Sequence, residues 1–360
     1  VSVPTRPAVR PGAPPAARPA GRPGGRAAQT RRTLLLIAGC LGLLAVTAVL
    51  GLGLGSLAID PATVVAALTS YDPADDAHLV VVQSRLPRIV LGIVVGAALG
   101  VAGALMQSVT RNPLADPGIL GINAGAALCV AIAIALFGID RPSGYIWFAF
   151  AGAALTAVLV ALLGTARRSA ATPVRIALAG TAVSIVIGAL TQMVILSNEA
   201  AFNSYRYWAL GSLQGRGFDV LLAVLPFLLL GLLCAFALIG PLNAIALGDE
   251  VAAAIGTPVA GARLGAALAV VLLAGAATAA AGPIGFIGLG AAHIARFCAG
   301  NEHRRLIPAS LVVGATLLVV ADTLGRALAA PAEVQTGVAA ALFGGPLFVA
   351  LVRSRRVAAL

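Results

Sequence analysis

Few side chains in this sequence are suited to covalent or metal chemistry, and those few do not converge. His78, His293 and His303 lie far apart along the chain. Cys40, Cys129, Cys234 and Cys298 each sit in an apolar run and form no CxxC pair. A metal or redox centre wants clustered thiolates, so each cysteine reads as a small buried hydrophobe, and His293 as a locally hydrogen-bonded group. There is no GxxxxGK[ST] phosphate loop, no GxSxG elbow and no HExxH. The sequence therefore predicts no catalytic residue, no cofactor and no metal ligand. What its remaining polar residues can do is recognise.

Two groups are placed for recognition. The run Gly248-Asp249-Glu250-Val251-Ala252-Ala253-Ala254-Ile255-Gly256-Thr257-Pro258 puts two acids at a helix start, where the dipole favours them. Gly256 follows as a C-terminal cap, with Pro258 just beyond. The helix is about ten ångströms long at ~1.5 Å per residue, too short to cross lipid. Leu247, Val251, Ala254 and Ile255 share one face. Such a knob either caps its own bundle or docks into a groove on another protein. Arg85, Arg88 and Arg326 form the second group, at the ends of apolar spans. They are either snorkelling residues of the interface or cations that receive carboxylates of a docking protein.

The elements that must position these groups are membrane helices. Of 360 residues, 60% are hydrophobic and 10% charged, whereas a soluble domain carries about 25% charged residues. Spanning takes about 20 apolar residues. Ten segments answer that description: 33–55, 88–108, 119–138, 145–166, 174–196, 219–240, 262–281, 283–299, 306–325 and 337–352. The eighth and tenth are short, in the manner of tilted or partly re-entrant helices. The fold class is all-α, a polytopic membrane protein of about ten transmembrane helices.

Charge sets the orientation. The 24 cationic residues are all arginine, and seven fall in the first 32 residues beside seven prolines and four glycines. Residues 1–32 read as a disordered cytoplasmic tail. The apolar run that follows is too long for the h-region of a signal peptide, about 7–15 residues. With this tail inside and ten spans, eleven further arginines fall on the cytoplasmic side and six outside, as the positive-inside rule prefers. Both termini are then cytoplasmic, in a multi-pass protein of the cytoplasmic membrane. The basic balance is accounted for by lipid topology and implies no nucleic acid.

The stretch from Arg85 to Ala127 organises the rest. Gly92, Gly96, Gly100 and Gly103 mark one helical face and let a neighbouring backbone come close. Pro113 and Pro117 then stop one helix and restart another. Gly118-Ile119-Leu120-Gly121-Ile122-Asn123-Ala124-Gly125-Ala126 is echoed by Gly282-Pro283-Ile284-Gly285-Phe286-Ile287-Gly288-Leu289-Gly290-Ala291. The echo reads either as an inverted repeat of helices two to five and seven to ten or as a likeness of composition alone. All thirteen acids lie in loops or within about a turn of a span end, Asp322 deepest. An ion-coupled carrier generally needs a carboxylate near the midplane, so the energy source is expected outside this chain.

Taken in order, Arg85-Leu86-Pro87-Arg88, Arg111-Asn112-Pro113-Leu114-Ala115-Asp116-Pro117-Gly118, Leu247-Gly248-Asp249-Glu250, Gly282-Pro283-Ile284-Gly285-Phe286, His293-Ile294-Ala295-Arg296, His303-Arg304 and Pro331-Ala332-Glu333 resemble the FecCD-type permeases of ABC importers. The resemblance covers roughly residues 33–356, with Ala292 standing where the family has proline. It implies a type II importer permease domain over 33–356 that pairs with a second permease subunit, identical or paralogous. Two ATPases would bind inside and a substrate-binding protein outside. It makes 241–260 a coupling segment in which Gly248, Asp249, Glu250, Val251, Ala254, Ile255 and Gly256 meet an ATPase. It makes Arg85, Arg88 and Arg326 partners for the binding protein. It places Gln107, Asn123, Gly282, Pro283, Gly285 and Phe286 along the translocation pathway. Thr110 to Gly125, with Arg206-Tyr207-Trp208 and Gly211-Ser212, looks most like the catecholate (enterobactin-type) branch. The implied cargo is thus a ferric siderophore, ahead of cobalamin or haem.

Overall fold

The structure is a computed structural model and describes residues 23–139, 141–165 and 173–353. Every regular element among them is helical. The long ones are α1 (Pro23–Gly53), α4 (Leu86–Thr110), α6 (Pro142–Thr165), α7 (Pro173–Leu196), α9 (Phe218–Ala237), α12 (Val259–Ala281) and α14 (His303–Ala329), and between them lie α2 (Pro61–Thr69), α3 (Asp76–Leu79), α5 (Ile122–Phe137), α8 (Glu199–Ala209), α10 (Ile239–Ile245), α11 (Asp249–Ala254), α13 (Ile287–Ala299) and, last, α15 (Thr336–Arg353). Among the described residues seven helices are long and apolar enough to cross a membrane, and α5, α13 and α15 are shorter apolar helices. Together they occupy the ten segments that hydropathy marks out.

Helix α1 departs from expectation at its start. It runs from Pro23, so the last ten residues of the segment read as a tail are helical, while residues 1–22 lie outside the described residues. Proline is favoured in a helix's first turn, where its missing amide would have no partner. Arg305 of α14 donates to Thr30 at 3.3 Å, tying this polar extension to the bundle.

The third and eighth spans are short because each is entered through irregular backbone. A 3₁₀ turn, Pro117–Leu120, leads into α5, with Asp116 accepting from the Gly118 amide at 2.8 Å. Gly282 (φ 75°) and Phe286 (φ 67°) bracket the lead into α13. Ala115, Leu120, Ala281 and Ile284 are buried in these stretches. Irregular backbone at membrane depth survives where protein covers it.

Helix α4 is the centre of the bundle and packs on α9, α12, α13 and α14. Helix α12 packs in turn on α5, α6 and α9. The α4 contacts are made backbone to backbone. A Cβ on Gly96 would lie 2.5 Å from the Gly314 carbonyl oxygen, and those on Gly100 and Gly103 would run into the carbonyl oxygens of Ser310 and Gly288. Replacing Gly100 with alanine is expected to force α4 off α14 at an overpacking cost of about 1–3 kcal/mol. Gly39 of α1, whose added Cβ meets nothing within 4 Å, is the control. Melting of the purified variants should show a clear drop for Gly100→Ala and none for Gly39→Ala; equal midpoints would refute the close-contact reading.

Candidate functional site

At one end of α4 the chain builds the predicted recognition segment. Arg111 closes α4 in the left-handed region (φ 49°), its amide reaching back to Gln107. The Arg111 guanidinium donates to the Ile245 carbonyl at 2.8 Å and to Asp249 at 2.7 Å. Arg263 of α12 holds the second Asp249 oxygen at 2.8 Å. Gly248 (φ 114°) makes the turn into α11, and the Gly256 and Thr257 amides close it on Ala253 and Ala252. Half-exposed ion pairs contribute up to about 1 kcal/mol each. They orient α11 rather than hold the bundle.

Two faces of this segment now separate. Ala252 is buried with Ala244, Ile245 and Ala262. On the other face Leu247, Val251 and Ile255 are 67%, 47% and 62% exposed, and Glu250, Ala254 and Gly256 are exposed with them. The apolar stripe read from the sequence is thus left open. Asp249 differs from the expectation: both its oxygens are engaged within the chain. Beside α11 lies a cavity of about 730 Å³ lined in part by Ser108, Asn243, Leu247, Arg296 and His303. The His303 ring spans it, Nε2 at 2.8 Å from Ser108 Oγ and Nδ1 at 2.9 Å from Asn243 Oδ1. His78 accepts from the Asp72 amide at 3.0 Å, far from this place. Among the described residues no group of three His, Cys, Asp or Glu side chains could hold a metal ion.

The opposite end of α4 is charged and closed. Arg88 meets Asp322 of α14 through three hydrogen bonds, of 2.9, 3.0 and 3.3 Å, and Glu333 at 2.7 Å. Arg326 Nε lies 3.3 Å from Asp322, and its Nη1 donates to the Gly51 and Leu54 carbonyls at 3.1 and 3.0 Å. Thr336 adds a hydroxyl to Asp322 at 2.6 Å. Arg85 donates to the Leu52 carbonyl at 2.6 Å and to that of Leu57. Arg85 and Arg88 are 5% exposed and Arg326 2%. The three arginines expected on an open outer rim therefore face inward, because the end of α1, α14 and the Glu333 loop supply their partners. Asp322 corrects a second expectation. With α14 reaching Ala329, it lies two turns inside a span at 4% exposure, tolerated there because two guanidinium groups neutralise it.

The residues expected along a pathway divide. Gln107 is fully buried, its amide nitrogen 3.5 Å from the Leu289 carbonyl. Asn123 accepts from Thr278 of α12 at 2.9 Å. Gly282 is buried against Trp208 and Gly211. Gly285 and Phe286 are exposed and Pro283 partly so, Phe286 leaning on Gly344 of α15.

A bundle that, among the described residues, joins seven membrane-length and three shorter apolar helices, with a short open apolar helix at one end and a sealed charge cluster at the other, is the architecture of a membrane transport permease. The chain belongs to the FecCD transport family, whose model matches residues 43–354. It is 39% identical to the ferric enterobactin transport system permease protein FepD of Escherichia coli, over 89% of this chain and 95% of that one. It is 41% identical to the probable siderophore transport system permease protein YfiZ of Bacillus subtilis, over 80% of this chain and 86% of that one. Among solved structures, an inward-facing putative metal-chelate type ABC transporter superposes with a TM-score of 0.75 at 28% identity, covering 89% of this chain and 99% of that one.

Proposed function

We propose that this chain is the permease subunit of an ATP-driven importer that carries ferric siderophores across the cytoplasmic membrane. One observation carries the proposal: α11 leaves Leu247, Val251 and Ile255 open while Arg111 and Arg263 clamp its first residue to α4 and α12. A knob so held passes a push from an outside subunit into the centre of the bundle. The chain supplies the gate, and two partner ATPases on the cytoplasmic side supply the force. A second permease subunit, identical or paralogous, completes the pathway, and an extracytoplasmic siderophore-binding protein delivers the cargo. Both termini lie on the ATPase side. The likeness to enterobactin and siderophore permeases favours siderophore cargo over haem or cobalamin.

The test is uptake into liposomes holding the complete transporter. Ferric siderophore should accumulate only with ATP inside, and should stop when the partner ATPase loses its phosphate-loop lysine. Uptake that an ionophore abolishes while ATP is held constant would replace this reading with an ion-coupled carrier. Haem accumulation without siderophore accumulation would move the cargo to the other branch.

A further inference from the structure

The clamp from Arg111 and Arg263 ties α11 to α4 and α12. It leaves out α14, whose backbone lies against that of α4 at Gly96 and Gly100. A separate connection runs behind α11. Helix α10 leads towards it through two turns, the Leu247 amide on the Ala244 carbonyl and the Gly248 amide on that of Ile245, each at 3.0 Å. Ala244 and Ile245 of α10 pack on Ala252 of α11 in one buried cluster, so α10 and α11 form one body. From that body Asn243 reaches α14. Its side-chain oxygen accepts from the His303 amide at 2.9 Å and lies 2.9 Å from His303 Nδ1. His303 is 3% exposed and extends the connection to α4, its Nε2 lying 2.8 Å from Ser108 Oγ.

These contacts differ in what it costs to part them. The Asn243 oxygen already accepts the His303 amide, so Nδ1 carries the proton that it shares with that oxygen, and in the neutral ring Nε2 accepts from Ser108. Ser108 has one hydroxyl proton and a second acceptor, the Ala104 carbonyl at 2.7 Å. If His303 withdraws, that proton turns to Ala104 and nothing on α4 loses its partner. The freed Nε2 then faces the cavity of about 730 Å³, polar and roomy enough for water. Parting Asn243 from His303 is harder. It strands two N–H donors of a buried residue at once, and leaving a buried group unpaired costs more than a made hydrogen bond contributes. The joint is firm towards α14 and loose towards α4.

We propose that Asn243 and His303 are positioning residues of the transport cycle: they bind the α10–α11 body to α14, so that a push on α11 moves α14 against α4, and the His303–Ser108 bond is the one that parts. The proposal rests on the importer reading above and adds the helix that carries the movement.

Asn243→Leu keeps the size of the side chain and removes the acceptor, whereas Asn243→Asp keeps an oxygen for both donors. Complete transporters carrying each change are compared in liposomes for siderophore uptake and ATP turnover. Asn243→Leu should leave the KM for siderophore and the binding of the ATPase at parental values, because the α11 stripe is untouched. It should lower the siderophore carried per ATP roughly tenfold, within the range usual for coupling between two sites. Asn243→Asp should restore most of that loss. Ser108→Ala removes only the bond that parts, and should leave siderophore per ATP unchanged. Asn243→Ala, smaller than the parent, takes the place of Asn243→Leu if the latter does not fold, with the same loss expected. A joint that is structural alone would lower the melting midpoint of Asn243→Leu while the folded fraction keeps the parental ratio of uptake to turnover. That result, an equal loss in Asn243→Leu and Asn243→Asp, or a loss in Ser108→Ala would overturn the joint and leave the importer reading standing. A parent transporter that takes up no siderophore with ATP would overturn the importer reading and the joint with it.

Discussion

Asp322→Ala is expected to destabilise the folded chain by roughly 3–5 kcal/mol, the cost of leaving buried charge without its counterion. Among the described residues Asp322 is the carboxylate shared by Arg88 and Arg326, and its removal leaves Arg88 with Glu333 and Arg326 with two carbonyls and the Thr323 hydroxyl, all uncharged. Thr336 loses its acceptor in the same step. The damage should spread, because Arg326 ties α14 to the end of α1 and Arg88 belongs to α4. The thermal midpoint of the purified variant, compared at one scan rate, checks this. Arg88→Met added to Asp322→Ala should cost less than the sum of the two single changes, since it removes a guanidinium that Asp322→Ala strands. A midpoint within a degree of the parent for Asp322→Ala would show that the cluster is held by something other than the shared carboxylate.

The contrast between that cluster and α11 shows what a sequence can display. Spans are legible because lipid imposes a length of apolar chain, and α4 and α12 end within three residues of where hydropathy puts them. The α11 knob is legible for a similar local reason. Its acids, its glycine and its proline are punctuation within ten residues, and the exposed stripe follows from helical period. The charge cluster is a tertiary fact. Arg88 and Asp322 are separated by 234 residues, and nothing local separates an arginine that faces water from one that faces a buried acid. One signal was available: Asp322 and Arg326 stand four apart within an apolar helix, the spacing at which opposite charges meet. A cavity of about 380 Å³ was legible still less, since its walls Tyr145, Trp208, Arg216 and Gln335 come from α6, α8 and two separate loops.

Closing the three arginines at the far end of α4 also changes how charge is distributed between function and support. On the sequence, acids at α11 and arginines at the far end were equal candidates for docking. In the structure Asp249 and all three arginines are engaged internally, so the groups left for partners at the α11 end are mainly apolar. On the proposed reading, recognition there would depend on shape and burial, with the ion pairs of Asp249 setting the angle at which the apolar stripe is offered.

That division yields the second large effect, at the α11 stripe. Val251→Asp together with Ile255→Asp should release the partner ATPase, because each buried aliphatic side chain contributes about 1.5–3 kcal/mol and a pair lost is worth roughly a hundredfold or more in affinity. Both residues are open in the free chain, so the bundle itself should melt as before. Siderophore-stimulated ATP turnover should fall to the level of the ATPase without permease. Asp249→Lys is the informative partner variant. It sets a third cation against Arg111 and Arg263, so α11 should swing out of register while its apolar stripe stays intact. ATPase binding should then survive weakly, and coupling should be lost. If the double aspartate variant still binds ATPase with parental affinity, α11 caps its own bundle and the drive must enter elsewhere. If Asp249→Lys keeps full substrate-stimulated turnover, the clamp from Arg111 and Arg263 has no part in transmitting the push.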